Sequence, residues 1–141
     1  MDKKSVIAEL CQNHNGDKSL LDELVSAASD SGADYVKMQF VLSKSLSRRE
    51  RFDLGLVEGG KTKVIKRPYK DEFERLSKLD LEKEAYLMFL DLCKKYKVKP
   101  MITLFTFDSI EEILGMGYRN IKLSSFDCIS TPLIEKLATS N

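Results

Sequence analysis

Ser5-Val6-Ile7-Ala8-Glu9-Leu10-Cys11, followed by Gln12-Asn13-His14-Asn15-Gly16, is the stretch whose reading decides the fold. A short apolar run ending in turn formers predicts a strand and a polar loop. Asp17 then stands where a helix N-cap belongs, Leu20, Leu21, Leu24, Val25 and Ala28 recur at helical spacing, and Gly32 falls where a left-handed residue closes a helix. The first unit is therefore strand, loop, helix. Its loop, Asn-His-Asn-Gly, is not the G-x-G-x-x-G of a dinucleotide-binding sheet.

Outward from this unit the same alternation repeats. Ala33–Phe40, Lys99–Phe105 and Asn120–Ser124 are rich in strand formers. Asp80 is placed to cap a helix carrying Tyr86, Phe89, Leu90, Cys93 and Tyr96 at helical spacing, with Lys94, Lys95 and Lys97 at its C-terminal end. The aromatic and methionine side chains of residues 86–89 read as core. Asp108-Ser109-Ile110-Glu111 resembles a capping box ahead of Ile113 and Leu114, closed by Gly115 and Gly117. Thr131 is expected to cap the last helix, with Pro132 at its first position and Leu133, Ile134, Leu137 and Ala138 as its apolar stripe. Four strand-helix units without a hairpin signal imply parallel strands and right-handed crossovers. An open doubly wound sheet and a barrel both fit, and the missing glycine loop favours the barrel. The expected fold is α/β, of (β/α)8 TIM-barrel type, with the first four units present; a whole barrel takes about 250 residues.

The 141 residues carry 23 Lys and Arg against 22 Asp and Glu, a balance that argues against nucleic-acid binding. No run of about 18 apolar residues is available to span a membrane, and MDKKSVIAEL lacks the apolar core of a signal peptide. The expected setting is cytoplasmic. Cys11, Cys93 and Cys128 are odd in number and widely spaced, so they read as buried thiols in a reducing compartment. A single histidine cannot build a transition-metal site, which usually needs two or three imidazoles. Metal ligands are therefore expected to lie outside this chain.

Residues 41–70 break the alternation, with nine Lys or Arg against three acids and no sustained period. They read as a long basic loop: a solvated connection, or a lid or anion-attracting rim.

Within the strands, polar residues stand where a core is expected. Tyr35, Lys37 and Gln39 share one face and Val36, Met38 and Phe40 the other. A lysine in a parallel sheet is costly unless something anionic meets it, and the same holds for Lys122 and, with sign reversed, Glu9. Strand C-terminal ends are where such folds place active sites, so Glu9, Lys37, Gln39, Thr103, Lys122 and Ser125 are expected to ring one opening. Glu9 and one lysine form an ion pair in the plainest reading; the surplus positive charge, two hydroxyls and the helix start at Thr131-Pro132 suit a phosphate or carboxylate. His14 is a turn former by default and a site residue by position.

Ile7-Ala8-Glu9, Asn13-His14-Asn15-Gly16-Asp17, Ser31–Gln39, Thr103-Leu104-Phe105-Thr106, Ile121-Lys122-Leu123-Ser124-Ser125, Asp127 and Thr131-Pro132-Leu133-Ile134, in that order, resemble the signature of sialic acid synthases, which include N-acetylneuraminate, legionaminate and pseudaminate synthases. The resemblance implies a barrel that condenses phosphoenolpyruvate with an N-acylated hexose such as N-acetylmannosamine, giving a nine-carbon 2-keto acid and phosphate. It implies phosphoenolpyruvate contacts at Lys37, Thr103, Lys122 and Ser125, sugar contacts at Gln39 and Asp127, and catalytic roles for Glu9 and, in the loop motif, His14. It further implies a divalent metal, manganese or magnesium, whose ligands lie outside this chain, and a homodimer of the full-length enzyme. Two departures stand out: Leu104 replaces the usual proline, and Ile129-Ser130 replaces a pair of asparagines. The competing readings are a non-catalytic half-barrel that binds an anion or a protein partner, and another phosphoenolpyruvate-using aldol-type barrel enzyme.

Overall fold

A computed structural model describes residues 4–140; Met1–Lys3, where the signal-peptide reading begins, lie outside them. In chain order the elements are β1 (Ile7–Cys11), α1 (Lys18–Asp30), β2 (Tyr35–Phe40), α2 (Glu50–Leu54), β3 (Leu56–Glu58), β4 (Lys61–Val64), α3 (Tyr69–Ser77), α4 (Lys83–Lys95), β5 (Lys99–Leu104), α5 (Ser109–Gly115), β6 (Ile121–Leu123) and α6 (Thr131–Thr139). They divide into two compact units, one running up to Phe40 and resuming at Leu81, the other Val41–Asp80.

In the first unit β1, β2, β5 and β6 form a parallel sheet in that consecutive order. Each strand lies beside its predecessor, as right-handed crossovers deliver, with no reversal of direction across the sheet of the kind that marks a doubly wound fold. The register sets two faces. Phe40 is level with Leu104; Leu104 clusters with Ile110 of α5 and Leu133 of α6, and the Phe40 ring lies 4.7 Å from that of Tyr86 in α4. This is the helix-covered face, and with Val36, Met38 and Ile102 it is fully buried against the inward stripes of α1 and α4. The opposite face carries Glu9 level with Lys37, and Gln39 level with Thr103 and Lys122.

Helix starts follow the sequence unevenly. Asp17 caps α1 as expected, its Oδ1 accepting from the Ser19 and Leu20 amides, and Gly32 takes φ +81 after its end. Asp80 does not cap α4, which begins after Glu82 without a side-chain cap. Its carboxylate instead accepts from the Ser43 amide at 2.8 Å and the Ser43 hydroxyl at 2.5 Å. Asp108 has helical torsions and caps nothing; the Thr106 and Ser109 hydroxyls pair with each other there. At α6 the cap position is Ser130, and Thr131 and Pro132 are already helical. Of the cysteines, Cys93 is buried, its thiol pushed up to about 12 by desolvation, but Cys11 is half-buried and Cys128 exposed, which corrects the reading of all three as buried.

The second unit corrects the reading of residues 41–70 as an unstructured loop, and with it the absence of a hairpin. β3 and β4 pair antiparallel across Gly59-Gly60, both at positive φ (+55 and +74), the conformation of the two-residue turn that matches strand twist. α2 and α3 flank this hairpin, and the unit extends to Asp80. Its apolar burial is slight: Leu76 is its one buried hydrophobic, while Leu54, Leu56, Val57 and Ile65 are exposed. Carboxylates hold it instead. Asp53 accepts from the Tyr69 amide at 2.6 Å and pairs with Arg48, whose guanidinium hydrogen bond lowers the pKa of Asp53.

Candidate active site on the polar face of the parallel sheet

Lys37 is 6% exposed, an unusual place for an ammonium group. It is there because strand alternation puts residue 37 opposite Val36 and Met38, which the core claims. Two neighbours in adjacent strands meet it: the Glu9 carboxylate forms an ion pair through Oε2, and the ammonium donates to Thr103 Oγ1 at 2.9 Å. Thr103 is 1% exposed, whereas the Glu9 side chain is 45% exposed. An ammonium group has three hydrogens. Two point at Glu9 and Thr103, which leaves one for a ligand.

Register places the remaining polar residues around this cluster. Gln39, Thr103 and Lys122 form one row across β2, β5 and β6, so Lys122 stands one strand spacing, about 4.8 Å, from Thr103. Lys122 is exposed and has no carboxylate partner among the described residues. Glu9 pairs with Lys37 alone among the described residues, and the row of Gln39, Thr103 and Lys122 carries a positive charge that suits an anion.

Ser125 and Asp127 are not drawn into this cluster. They open and close a short 3-10 turn after β6, with Ser125 exposed and Asp127 half-buried, and no hydrogen bond joins them to Lys37 or Thr103 among the described residues. The buried hydroxyl there is Ser124, which accepts from the Phe126 amide at 3.2 Å.

His14 is buried at 2% exposure in the β1–α1 loop, where its Nδ1 accepts from the Gly16 amide at 3.1 Å. That bond puts the proton of the neutral ring on Nε2, and desolvation lowers its pKa below the usual histidine value. The imidazole thereby shapes the loop in which Asn15 and Gly16 take positive φ. Among the described residues no group of three His, Cys, Asp or Glu is placed to hold a metal ion, and no helix is long and apolar enough to cross a membrane.

One feature of the site was invisible in the sequence. The β1–β2 register slips between Glu9 and Cys11, and Cys11 takes φ +54. The slip, with Leu10 as the extra residue, brings the Cys11 amide onto Glu9 Oε1 at 2.9 Å. A backbone torsion at a non-glycine residue leaves no compositional mark.

Known proteins carry related sequences and folds. The NeuB family profile matches residues 24–141. N,N'-diacetyllegionaminic acid synthase of Campylobacter jejuni is 29% identical over an alignment covering all of this chain and 41% of that protein. The enzyme of the same name from Legionella pneumophila is 30% identical over 95% of this chain and 36% of its own length, and pseudaminic acid synthase of Helicobacter pylori 27% over 94% and 38%. This chain spans about two fifths of the length of these relatives. The crystal structure of an N-acetylneuraminic acid synthetase from Leptospira borgpetersenii in complex with citrate superposes with a TM-score of 0.75 at 23% identity, covering 97% of this chain and 41% of that one. A spore coat polysaccharide biosynthesis protein E structure from Chromobacterium violaceum gives 0.73 at the same identity. The fold is thus that of the amino-terminal part of these proteins, and with a family profile over most of its length the chain belongs to the NeuB family.

Proposed function

We propose that this chain is the first half of a (β/α)8 barrel that condenses phosphoenolpyruvate with an N-acylated hexose, giving a nine-carbon 2-keto sugar acid and phosphate. The observation that carries the proposal is the buried Lys37 ammonium, held by Glu9 and Thr103 in the same face as Lys122. A buried cation with one hydrogen to spare, in the same face as a second cation that has no carboxylate partner among the described residues, favours a polyanion of phosphate size. The names of the relatives, legionaminic and pseudaminic acid synthases, support the product class.

In this reading Lys37, Thr103 and Lys122 hold the phosphate, with Ser125 closing on it from the turn after β6. Gln39 and Asp127 face the sugar. The enolic carbon of phosphoenolpyruvate attacks the aldehyde carbon of the open-chain hexose, a carbon–carbon bond forms, and phosphate departs with water completing the balance. The two ammonium groups stabilise negative charge as it shifts toward the leaving phosphate. Glu9 lies at the reacting centre, and His14 keeps the adjacent loop in shape. A divalent cation, Mn2+ or Mg2+, would polarise the aldehyde; the described residues compose no donor set for it. The proposed setting is the cytoplasm, and the full-length enzyme a homodimer.

Residues 1–141 alone are expected to bind phosphoenolpyruvate and to form no product. Calorimetry with phosphoenolpyruvate tests the first point: replacing Lys37 or Lys122 with Met weakens binding by about 1.5–3 kcal/mol, the range for hydrogen bonds to charged groups. Equal affinity in both variants would overturn the assignment. Product from the 141 residues, assayed with phosphoenolpyruvate, manganese and a panel of N-acyl hexoses, would overturn the half-barrel reading.

A further inference from the structure

We infer that Cys11 is a positioning residue whose backbone amide, presented by the bulge at Leu10, keeps the Glu9 carboxylate in place when the Lys37 ammonium is engaged by phosphate. The inference rests on the function proposed above. The Glu9 carboxylate has two restraints, one on each oxygen: Lys37 on Oε2 and the Cys11 amide on Oε1. The first is contested. Lys37 is already shared with Thr103, and a phosphate dianion competes for an ammonium group more strongly than one carboxylate does. A Glu9 side chain 45% exposed and held by Lys37 alone would swing into solvent as the phosphate arrives.

The second restraint has no such competitor. The extra residue that β1 inserts between Glu9 and Cys11, Leu10, bends the strand and presents the Cys11 amide to the Glu9 carboxylate, and φ +54 at Cys11 carries the chain on from the bulge. A residue with a side chain takes that torsion only under strain, a cost that bulges beside active sites commonly carry. The thiol takes no part; the amide and the bulge do.

The test reads the Cys11 amide directly, by hydrogen exchange in the 15N-labelled chain without ligand. Glu9→Ala is expected to speed exchange of that amide at least tenfold while amides of β2 and β5 stay unchanged. Cys11→Gly, which accepts positive φ freely, is expected to keep the slow amide. Cys11→Val, β-branched and intolerant of the positive φ that follows the bulge, is expected to undo the bulge and lose the slow amide yet bind phosphoenolpyruvate within twofold of the parent, because Lys37, Thr103 and Lys122 are intact. A merely structural role would impair binding along with the amide. With phosphoenolpyruvate bound, the parent's Cys11 amide is expected to remain protected. Exchange at Cys11 that ignores Glu9→Ala, or protection that vanishes on ligand binding, overturns the inference, and both stand even if Cys11→Val fails to fold. Failure of the parent to bind phosphoenolpyruvate would instead fall on the proposed function, since the ligand-free exchange is read without it.

Discussion

The two units of this chain make opposite use of buried polar groups. In the first, a continuous apolar face does the folding: Val36, Met38, Phe89, Ile102, Leu104 and Ile110 are all but inaccessible, and at about 25 cal/mol per Å2 such burial dominates its stability. That surplus lets the opposite face keep a buried lysine. The second unit buries one hydrophobic residue, Leu76, and closes its chain with half-buried Asp53 and with Asp80, which is exposed and holds the buried Ser43. Polar groups can thus be spared from folding where apolar packing is ample and are consumed by structure where it is not.

The largest expected effect breaks the first half of that contrast. Phe89→Ala empties a fully buried site between sheet and helix and should cost about 3–5 kcal/mol, seen as a lower midpoint in urea. A loss below about 1 kcal/mol would mean that the first unit does not depend on its apolar face.

Lys37→Met is the next test. Removing one member of a fully buried pair usually strands a charge, but Glu9 is 45% exposed and retains the Cys11 amide. Glu9 therefore costs the fold little, the buried Thr103 hydroxyl loses its partner at about 1 kcal/mol, and phosphoenolpyruvate affinity falls by about 1.5–3 kcal/mol. Lost stability with retained binding would make Lys37 a structural residue, like Asp80. Asp80→Ala should behave in the reverse manner. The buried Ser43 amide loses its acceptor, at about 1–3 kcal/mol, and hydrogen exchange should rise across residues 41–80 while β1, β2, β5 and β6 stay protected.

The same contrast explains what was legible beforehand. Strands and helices of the first unit carry a hydrophobic period, so their order and the two faces of β2 follow from residues 5–40 and 99–138. The placement of Lys37, Gln39, Thr103 and Lys122 on one face needed only strand alternation and register. Helix caps are less legible: Asp80 has a rival partner in Ser43, and beside Asp108 the Thr106 and Ser109 hydroxyls pair with each other. The second unit was misread because its short strands expose both faces and so show no period. The signal that was present, Gly59-Gly60 between Val57-Glu58 and Lys61-Thr62, was outweighed by the basic charge around it. The bulge at Cys11 had no signal at all.

The smallest expected effect belongs to His14, which is buried in the β1–α1 loop and bonded to the Gly16 amide. Its Nδ1 accepts from Gly16, so a proton arriving there replaces an acceptor with a second donor facing an amide, in addition to the desolvation that already lowers its pKa. The folded state therefore binds this proton less readily than the unfolded chain, whose histidine titrates near 6.5. With more protons on the unfolded state, stability is complete above about pH 6.5 and declines as pH falls toward the depressed folded value. His14→Asn keeps a side-chain acceptor for the Gly16 amide and removes the titration. Its urea midpoint, compared with the parent at pH 7.5 and 5.5, should fall less on acidification. An identical fall in both would show that protonating His14 costs the fold nothing, and that the first unit too tolerates a charged imidazole inside its loop.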